Sequence, residues 1–385
     1  MSGPGMRRAE IAGAGFAGLT AAAALARRGW AVTVHERSPD IRSTGAGIYV
    51  YENGLRVLEA LDAADAALRG AVRVTGRRVT ENGRTVSETR LPTDQRVHCV
   101  ARQRLVEALA EAARRAGARI ALNSEAVAAT PEGRLTLAEG AETDADLIVA
   151  ADGVGSRIRD GLGLLKSIRR LPDGATRVMA ARAPEEEDDS GMVVEAWAGV
   201  RRVLYTPCTE ADVYLALCAR DDDAGAVATP VDTAAWSGWF PDLAPMIGRI
   251  AGPARYDRFG HSTLSRWSAG RVAILGDAAH AMPPNIGQGA GCSMMNALAL
   301  AAWLDREADI PAALAAWERA QRPLTAHTQR VSLTFGLPAT WPAPLRSAFF
   351  ALAGRSGAAT RWKTRTARAV PDGTDLPPLA ADAVA

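Results

Sequence analysis

The sequence predicts an α/β fold in which a parallel-sheet domain is interrupted along the chain by a mostly antiparallel sheet and followed by C-terminal helices. Three observations predict it. Residues 8–36 read strand, glycine-rich turn, helix, strand. Two further strands of buried type, Leu147–Ala150 and Arg271–Leu275, each run into an Asp-Gly or Gly-Asp loop. Between them, from about Arg177 to Arg220, the apolar residues fall into short strand-like runs.

Arg8–Ala12 is a short apolar strand, and Phe16–Arg28 is a helix of strong helix formers ended by Gly29. Ala31–His35 alternates and is β-branched, as the next strand should be. Glu52–Arg69 and Arg104–Ala116 have helical periodicity. Arg119–Leu122 and Leu135–Leu137 read as strands, with a Pro-Glu-Gly turn at Pro131–Gly133. The middle region supplies Val178–Ala181, Met192–Trp197, Arg202–Tyr205 and Val213–Cys218. The acidic runs Glu185–Asp189 and Asp221–Asp223 are expected as solvated loops. Helical patterns dominate from Gly291 to Ser332, and Pro371–Ala385 is expected as a mobile tail. These patterns assign residues 1–75, 98–170 and 256–335 to the parallel-sheet domain and 76–97 with 171–255 to the sheet domain. Residues 336–370 form a C-terminal helical segment and 371–385 a flexible tail.

With 385 residues, 48% hydrophobic and 23% charged, the chain has the makings of two or three packed domains and not of a disordered protein. A net charge of +2 offers no field for nucleic acid or an anionic membrane. Among the basic residues only Lys166 and Lys363 are lysine, an arginine excess that reads as coding bias rather than a binding signal. Cys99, Cys208, Cys218 and Cys292 are far apart and lack metal-ligand spacing, so neither structural metal nor a disulfide framework is expected and a reducing cytoplasm fits. Residues 9–26 are apolar enough to imitate a membrane span, but the spaced glycines and Glu10 argue against one.

The first motif is Gly13-Ala14-Gly15-Phe16-Ala17-Gly18, between the first strand and its helix. Gly13 permits the tight turn, Gly15 lets a pyrophosphate approach the backbone, and Gly18 lets helix and strand pack closely. The free N–H groups at the helix start favour phosphate charge. Glu36, at the end of the second strand, stands where a ribose-binding acid is expected and would repel a 2′-phosphate. The site therefore suits FAD or NAD rather than NADP, in a Rossmann-like domain. The second motif, Asp152-Gly153-Val154-Gly155-Ser156-Arg157, follows an apolar strand, with Ser156 placed to cap a helix. The third is Gly276-Asp277-Ala278-Ala279-His280-Ala281-Met282-Pro283-Pro284-Asn285-Ile286-Gly287-Gln288-Gly289-Ala290-Gly291. Here a strand delivers Asp277, two prolines stiffen a loop, and Gly287, Gly289 and Gly291 leave bare backbone for a flat ligand at a helix start.

Together these segments resemble the single-component FAD-dependent monooxygenases of the para-hydroxybenzoate hydroxylase type, the group A aromatic hydroxylases, over about residues 7–335. The resemblance implies an FAD-binding, GR2-type Rossmann-like domain. It implies that Gly13, Gly15, Phe16, Ala17, Gly18, Glu36 and Arg37 hold the ADP half of FAD, that Asp152 touches the cofactor, and that Asp277 binds the ribityl chain. Pro284 would pack beside the isoalloxazine, with Gly287, Gly289, Ala290 and Gly291 along its pyrimidine edge. Arg102 matches a flavin-contacting arginine, and Arg42, Gly47 and Ile48 match the loop on the other side of the ring. Asn296 departs from the acidic residue that many members carry there.

The activity implied is hydroxylation or epoxidation of a small aromatic or polycyclic substrate, through a flavin C4a-hydroperoxide formed from O₂ after NADH or NADPH delivers hydride. A protein of this kind must hold the anionic reduced flavin electrostatically and keep water out. His261 is a candidate substrate base, and Tyr49, Trp197, Arg202 and Tyr205 are candidate pocket residues. A monomer or homodimer is expected. The halogenases that share the fold carry Gly-Trp-x-Trp-x-Ile-Pro, which Gly238-Trp239-Phe240-Pro241 does not match. A reductase, a redox-neutral flavoenzyme and a non-catalytic flavin-binding protein stand as alternatives at this point.

Overall fold

The structure is a computed structural model that describes residues 6–41, 46–183 and 191–374. Its first layer is a six-stranded sheet in the order Ser268–Ala269, Val272–Ile274, Leu147–Ala150, Arg8–Ala12, Ala31–His35 and Arg119–Ala121. All neighbours are parallel except the first pair. The helix Phe16–Ala26 is apolar nearly all round because it lies between this sheet and the helices Arg102–Arg115 and Gly289–Arg306. Gly29 leaves it with φ of +81°. The single helix expected over Glu52–Arg69 is two, Glu52–Ala60 and Ala64–Leu68, because Asp62 turns left-handed (φ +51°) between them.

The second layer is a seven-stranded sheet in the order Tyr256–Leu264, Leu165–Ala181, Asp212–Arg220, Arg201–Pro207, Met192–Ala198, Gly76–Glu81 and Arg84–Arg90. It is antiparallel except where Met192–Trp197 runs parallel to Gly76–Glu81. It takes in Leu165–Arg170 and Tyr256–Leu264, which the sequence pattern assigned to the other domain. Both faces of its centre are covered, so Met192–Ala198 is buried throughout. One face carries Val178, Val203, Leu215 and Leu217 against Trp236, Phe240, Met246 and Ile247. The other presents Leu204, Tyr214, Ala216 and Cys218 toward the first layer.

A small antiparallel sheet, Gly47–Tyr51 with Val97–Ala101 and Val72–Arg73, joins the two layers. The sequence pattern names no strands for it or for the hairpin Gly76–Arg90, though it assigns residues 76–97 to the sheet domain, where the hairpin lies. The hairpin did have a signal, Asn82-Gly83, and both residues have positive φ (48° and 79°) as such a turn requires. At the C-terminal end, Ala343–Arg355 and Gly357–Thr364 pack as two helices, the second capped by Ser356 Oγ accepting from Ala359 N at 3.2 Å. Pro371–Thr374 does not behave as a free tail. Asp372 Oδ2 accepts from Trp303 Nε1 (3.2 Å) and Gln321 Nε2 (2.9 Å), which pins it to the long helices. Residues 375–385, the Glu185–Asp189 run and Arg42 lie outside the described residues.

Candidate active site

The three motifs meet where the parallel sheet ends. Gly13 has φ of +98° and donates from its N–H to His35 O at 2.8 Å. A Cβ on it would strike the carbonyl of Ala151, next to Asp152, so the first and second motifs touch through bare backbone. Gly18 is equally constrained, since a Cβ there would fall on the Gly13 carbonyl oxygen. Gly276 (φ +65°) sits against Ala17: a Cβ would lie 2.8 Å from that methyl group, which seats the third motif on the first helix. Phe16 is covered by the Arg102 guanidinium, 4.7 Å from the ring centroid.

Gly15, Gly153, Gly155 and Gly289 are different. A Cβ on any of them meets nothing within 4 Å, so their backbone faces open space where these motifs converge. Glu36 is already positioned there, its Oε2 accepting from Ala14 N at 2.9 Å and its Oε1 from Ser38 N at 3.0 Å. Arg37 beside it is exposed. Asp277 is exposed in the first turn of Asp277–His280. Arg102, partly buried, has its charge disfavoured by burial and by Arg177, with Asp277 acting in its favour. Asp152 is pushed up from the usual carboxylate range by burial, against a hydrogen bond from Ser156, and its Oδ1 has no partner.

The strands Gly47–Tyr51 and Asp212–Arg220 meet beside the Pro284–Gly291 loop. Gly47–Tyr51 sets Gly47, Tyr49 and Tyr51 on one face and Ile48 and Val50 on the other, where Ile48 packs on the main core. Tyr214 presses on Gly47 so closely that a Cβ would be 2.5 Å from its ring. Tyr49 meets Tyr214 edge-on at 6.1 Å and keeps its hydroxyl unpartnered. Tyr51 covers Gly287 (φ +65°), whose N–H closes the loop on Pro284 O at 3.0 Å. Pro284 itself is exposed, and Gly291 lies against Asn53. Ala290 follows in the first turn of the helix Gly289–Arg306.

Gln288 is a residue the sequence reading missed. It is 2% exposed, its Oε1 accepts from Asn53 Nδ2 at 3.1 Å, and its Nε2 has no partner. An unpaired buried amide beside the glycine run is a group awaiting a ligand. With the open glycine backbone and the orphaned Asp152 oxygen, it makes the residues present fit FAD. Asn296 is buried against His280 Nε2 (3.0 Å) and Thr325 Oγ1 (3.1 Å). Burial holds His280 down at about 4, so it is neutral and a charged partner is not needed.

One expectation fails, that for Tyr205, and His261 stands apart from the Gly-Asp loop. His261 lies on the edge strand Tyr256–Leu264, where its neighbour Ser262 is the residue that faces the Gly-Asp loop, its Oγ accepting from Ala281 N at 3.0 Å. Strand alternation turns His261 the other way, onto the face that carries Phe259 and opposite Arg169 of the neighbouring strand, where its Nδ1 has no partner among the described residues. Tyr205 shares its face with Val203 and packs under the helices behind the sheet, so it lines no substrate wall. Arg202 does face the first layer: its Nη2 donates to Asn285 Oδ1 at 3.3 Å. Trp197 is sealed behind it, 2% exposed, between Arg202, Arg346 and Phe350.

A family model described as an FAD binding domain matches residues 8–309. The chain is 41% identical over 359 residues to a probable 2-heptyl-3-hydroxy-4(1H)-quinolone synthase of Rhodococcus erythropolis, covering 90% of this chain and 92% of that one. It is 43% identical to a 2-heptyl-3-hydroxy-4(1H)-quinolone synthase of Mycobacteroides abscessus, covering 90% and 95%. Its structure matches the tetrameric form of 2-methyl-3-hydroxypyridine-5-carboxylic acid oxygenase with a TM-score of 0.87 and 39% identity, covering 96% and 98%. Among the described residues no helix is long and apolar enough to cross a membrane. The open glycine cradle, its waiting polar atoms and these likenesses agree: the chain belongs to the group A FAD-dependent aromatic monooxygenases.

Proposed function

We propose that this monooxygenase hydroxylates a nitrogen-containing aromatic ring of the 4(1H)-quinolone type, at a carbon next to the oxygen-bearing carbon. The observation that carries this is identity of 41–43% over nine-tenths of the chain to two proteins named for making a 3-hydroxy-4(1H)-quinolone. The wall formed by Leu204, Ala216, Cys218 and Phe259 suits an apolar ring and its alkyl substituent.

When bound, FAD supplies the redox chemistry, taking reducing equivalents from NADH or NADPH and using O₂. The chain's own residues do the rest. The bare backbone of Gly15 and the amide start of Phe16–Ala26 bind the pyrophosphate, and Glu36 holds the ribose. Asp277 would hold the ribityl chain, and Gln288 Nε2 with the amides opening Gly289–Arg306 would donate hydrogen bonds to the bound flavin. Tyr214, pushed up to about 12 by burial, stays protonated and can donate a hydrogen bond to a substrate oxygen. Tyr49, Tyr51 and Tyr214 close the gap between the sheets against water.

The test is the FAD-loaded protein with 2-heptyl-4(1H)-quinolone and labelled O₂. Substrate-stimulated oxidation of NADH or NADPH with one labelled oxygen in the product supports the reading; no stimulation and no added oxygen would overturn it. We place the protein in the cytoplasm, on the four buried, unpaired cysteines, and expect a monomer or homodimer. Light scattering decides between that and the tetramer named for the solved relative.

A further inference from the structure

Gln288 brings one unused polar atom to the glycine cradle, and whether that atom donates or accepts is decided outside the cradle. An amide side chain is a donor at one end and an acceptor at the other, and its partners settle which end points where. Gln288 is buried between Gly287 and Gly289, and its Nε2 has no partner among the described residues. Its other end meets Asn53, which is fully buried in the first turn of the helix Glu52–Ala60. The orientation traces back to a group that has no choice. The backbone N–H of Gly54 can only donate, and it donates to Asn53 Oδ1 at 2.9 Å. Asn53 Nδ2 is thereby turned to Gln288 Oε1, to which it donates at 3.1 Å, and to Met295 Sδ at 3.4 Å. Gln288 must accept with Oε1, so the end left over is the donor Nε2.

Asn53 has no room to turn over. A Cβ on Gly291 would lie 2.9 Å from its Nδ2 and 3.1 Å from its Oδ1, so both ends of the amide press on bare backbone. Its own backbone N–H is one of the donors that a helix start leaves unsatisfied, and it goes to Ala367 O at 3.0 Å. Ala367 is held in turn. The Oγ1 of neighbouring Thr366 lies 2.6 Å from Thr328 Oγ1, and Asp372 is tied to Trp303 and Gln321. The stretch that follows the helix Gly357–Thr364 thus supports Asn53 from behind.

We propose that Asn53 is a positioning residue that holds Gln288 with its donor end toward the cradle, so that Gln288 presents a hydrogen-bond donor, and not an acceptor, to a bound flavin. Reduction adds negative charge to a flavin, and a donor arranged in advance favours the charged form. Acting through Gln288, Asn53 raises the affinity for reduced FAD relative to oxidised FAD. The inference rests on flavin binding and not on the quinolone reading.

The test is the midpoint potential of the FAD-loaded protein without substrate, measured by reductive titration against an indicator dye. The potential reports the ratio of the Kd values for oxidised and reduced FAD, and a tenfold change in that ratio is about 30 mV for a two-electron couple. Gln288→Met should lower the ratio about tenfold, the scale of one hydrogen bond to a charged group. Asn53→Asp should lower it at least as far, because a carboxylate accepts from Gly54 N and from Gln288 Nε2 alike and turns Oε1 toward the flavin. A carboxylate also acts through its charge, so the substitution is repeated in the Gln288→Met background, where it should add less than about threefold. Uncharged Asn53→Leu, which lets the Gln288 amide rotate, should lower the ratio about threefold in the parent and leave it unchanged beside Gln288→Met. It carries the cycle alone if Asn53→Asp does not fold. Equal effects of the Asn53 substitutions in the two backgrounds, or a potential unmoved by Gln288→Met, overturn the proposal. Failure to oxygenate 2-heptyl-4(1H)-quinolone would remove the quinolone reading and leave these potentials standing, whereas a parent that takes up no FAD would overturn both.

Discussion

Two glycines three residues apart should respond to the same substitution in opposite ways. Gly15 caps the helix Phe16–Ala26 in an extended conformation (φ −81°, ψ −176°) that valine tolerates, and a Cβ there meets nothing. Gly15→Val should therefore cost the apoprotein about 1 kcal/mol or less, the scale of a weakened cap. It places a branched side chain where the pyrophosphate must sit. The helix start is worth up to about 2 kcal/mol to a partly buried anion, and each hydrogen bond to a charged acceptor about 1.5–3 kcal/mol. Losing the helix contact and one or two such bonds removes about 3–6 kcal/mol, or about two to four decades in the Kd for FAD. Gly18→Val reverses the pattern, because its Cβ falls on the Gly13 carbonyl and the helix must leave the sheet, an overpacking cost of about 3 kcal/mol or more. The assays are fluorescence titration of apoprotein with FAD and thermal melting without it. If Gly15→Val binds FAD within about threefold of the parent, the backbone at this turn does not contact the pyrophosphate and the argument fails.

Asp277→Ala should weaken FAD retention on a desalting column while the apoprotein melts unchanged, since the carboxylate is exposed; equal retention would remove it from the ribityl site. Arg346→Met should lower stability by about 3–5 kcal/mol in urea, because Glu81 is left as an uncompensated buried charge, and the double variant with Glu81→Leu should recover much of the loss. His280 is held at about 4 in the fold against 6.5 when free, so its contribution is complete above pH 6.5 and is lost as the pH falls toward 4. The parent should lose up to about 3 kcal/mol across that window, and His280→Gln should lose clearly less; identical slopes in pH-dependent melts would contradict the assignment.

The glycine motifs were legible in the sequence because their chemistry is local. A turn, a helix start and a delivered carboxylate each occupy a few consecutive residues. The strands Arg8–Ala12, Ala31–His35 and Leu147–Ala150 were legible for the same reason, as apolar runs bounded by turn signals. What escaped notice depends on contacts between distant segments. Which face of Arg201–Pro207 turns toward the Pro283–Gly287 loop is decided by what packs on each side, so Arg202 and Tyr205 looked alike in sequence and face opposite ways. His261 is near the Gly-Asp loop along the chain, yet Ser262 is the residue that meets the loop and His261 shares the face of Phe259. Gln288 was hidden because an amide between two glycines has no pattern of its own. Its importance lies in Asn53, far back in the chain, occupying only one end of it.

The parallel pairing of Met192–Trp197 with Gly76–Glu81 has a practical consequence for rebuilding this enzyme. The seven-stranded sheet is woven from two stretches separated by the helix Arg102–Arg115, and Arg346 from the C-terminal end pairs with its Glu81. No single cassette can therefore transplant specificity. A chimera that exchanges only residues 165–264 would pair a foreign strand with the resident Gly76–Glu81 and set the new Glu195 position against the old Arg77. A working graft has to move the hairpin, the main sheet and the C-terminal helix as one set.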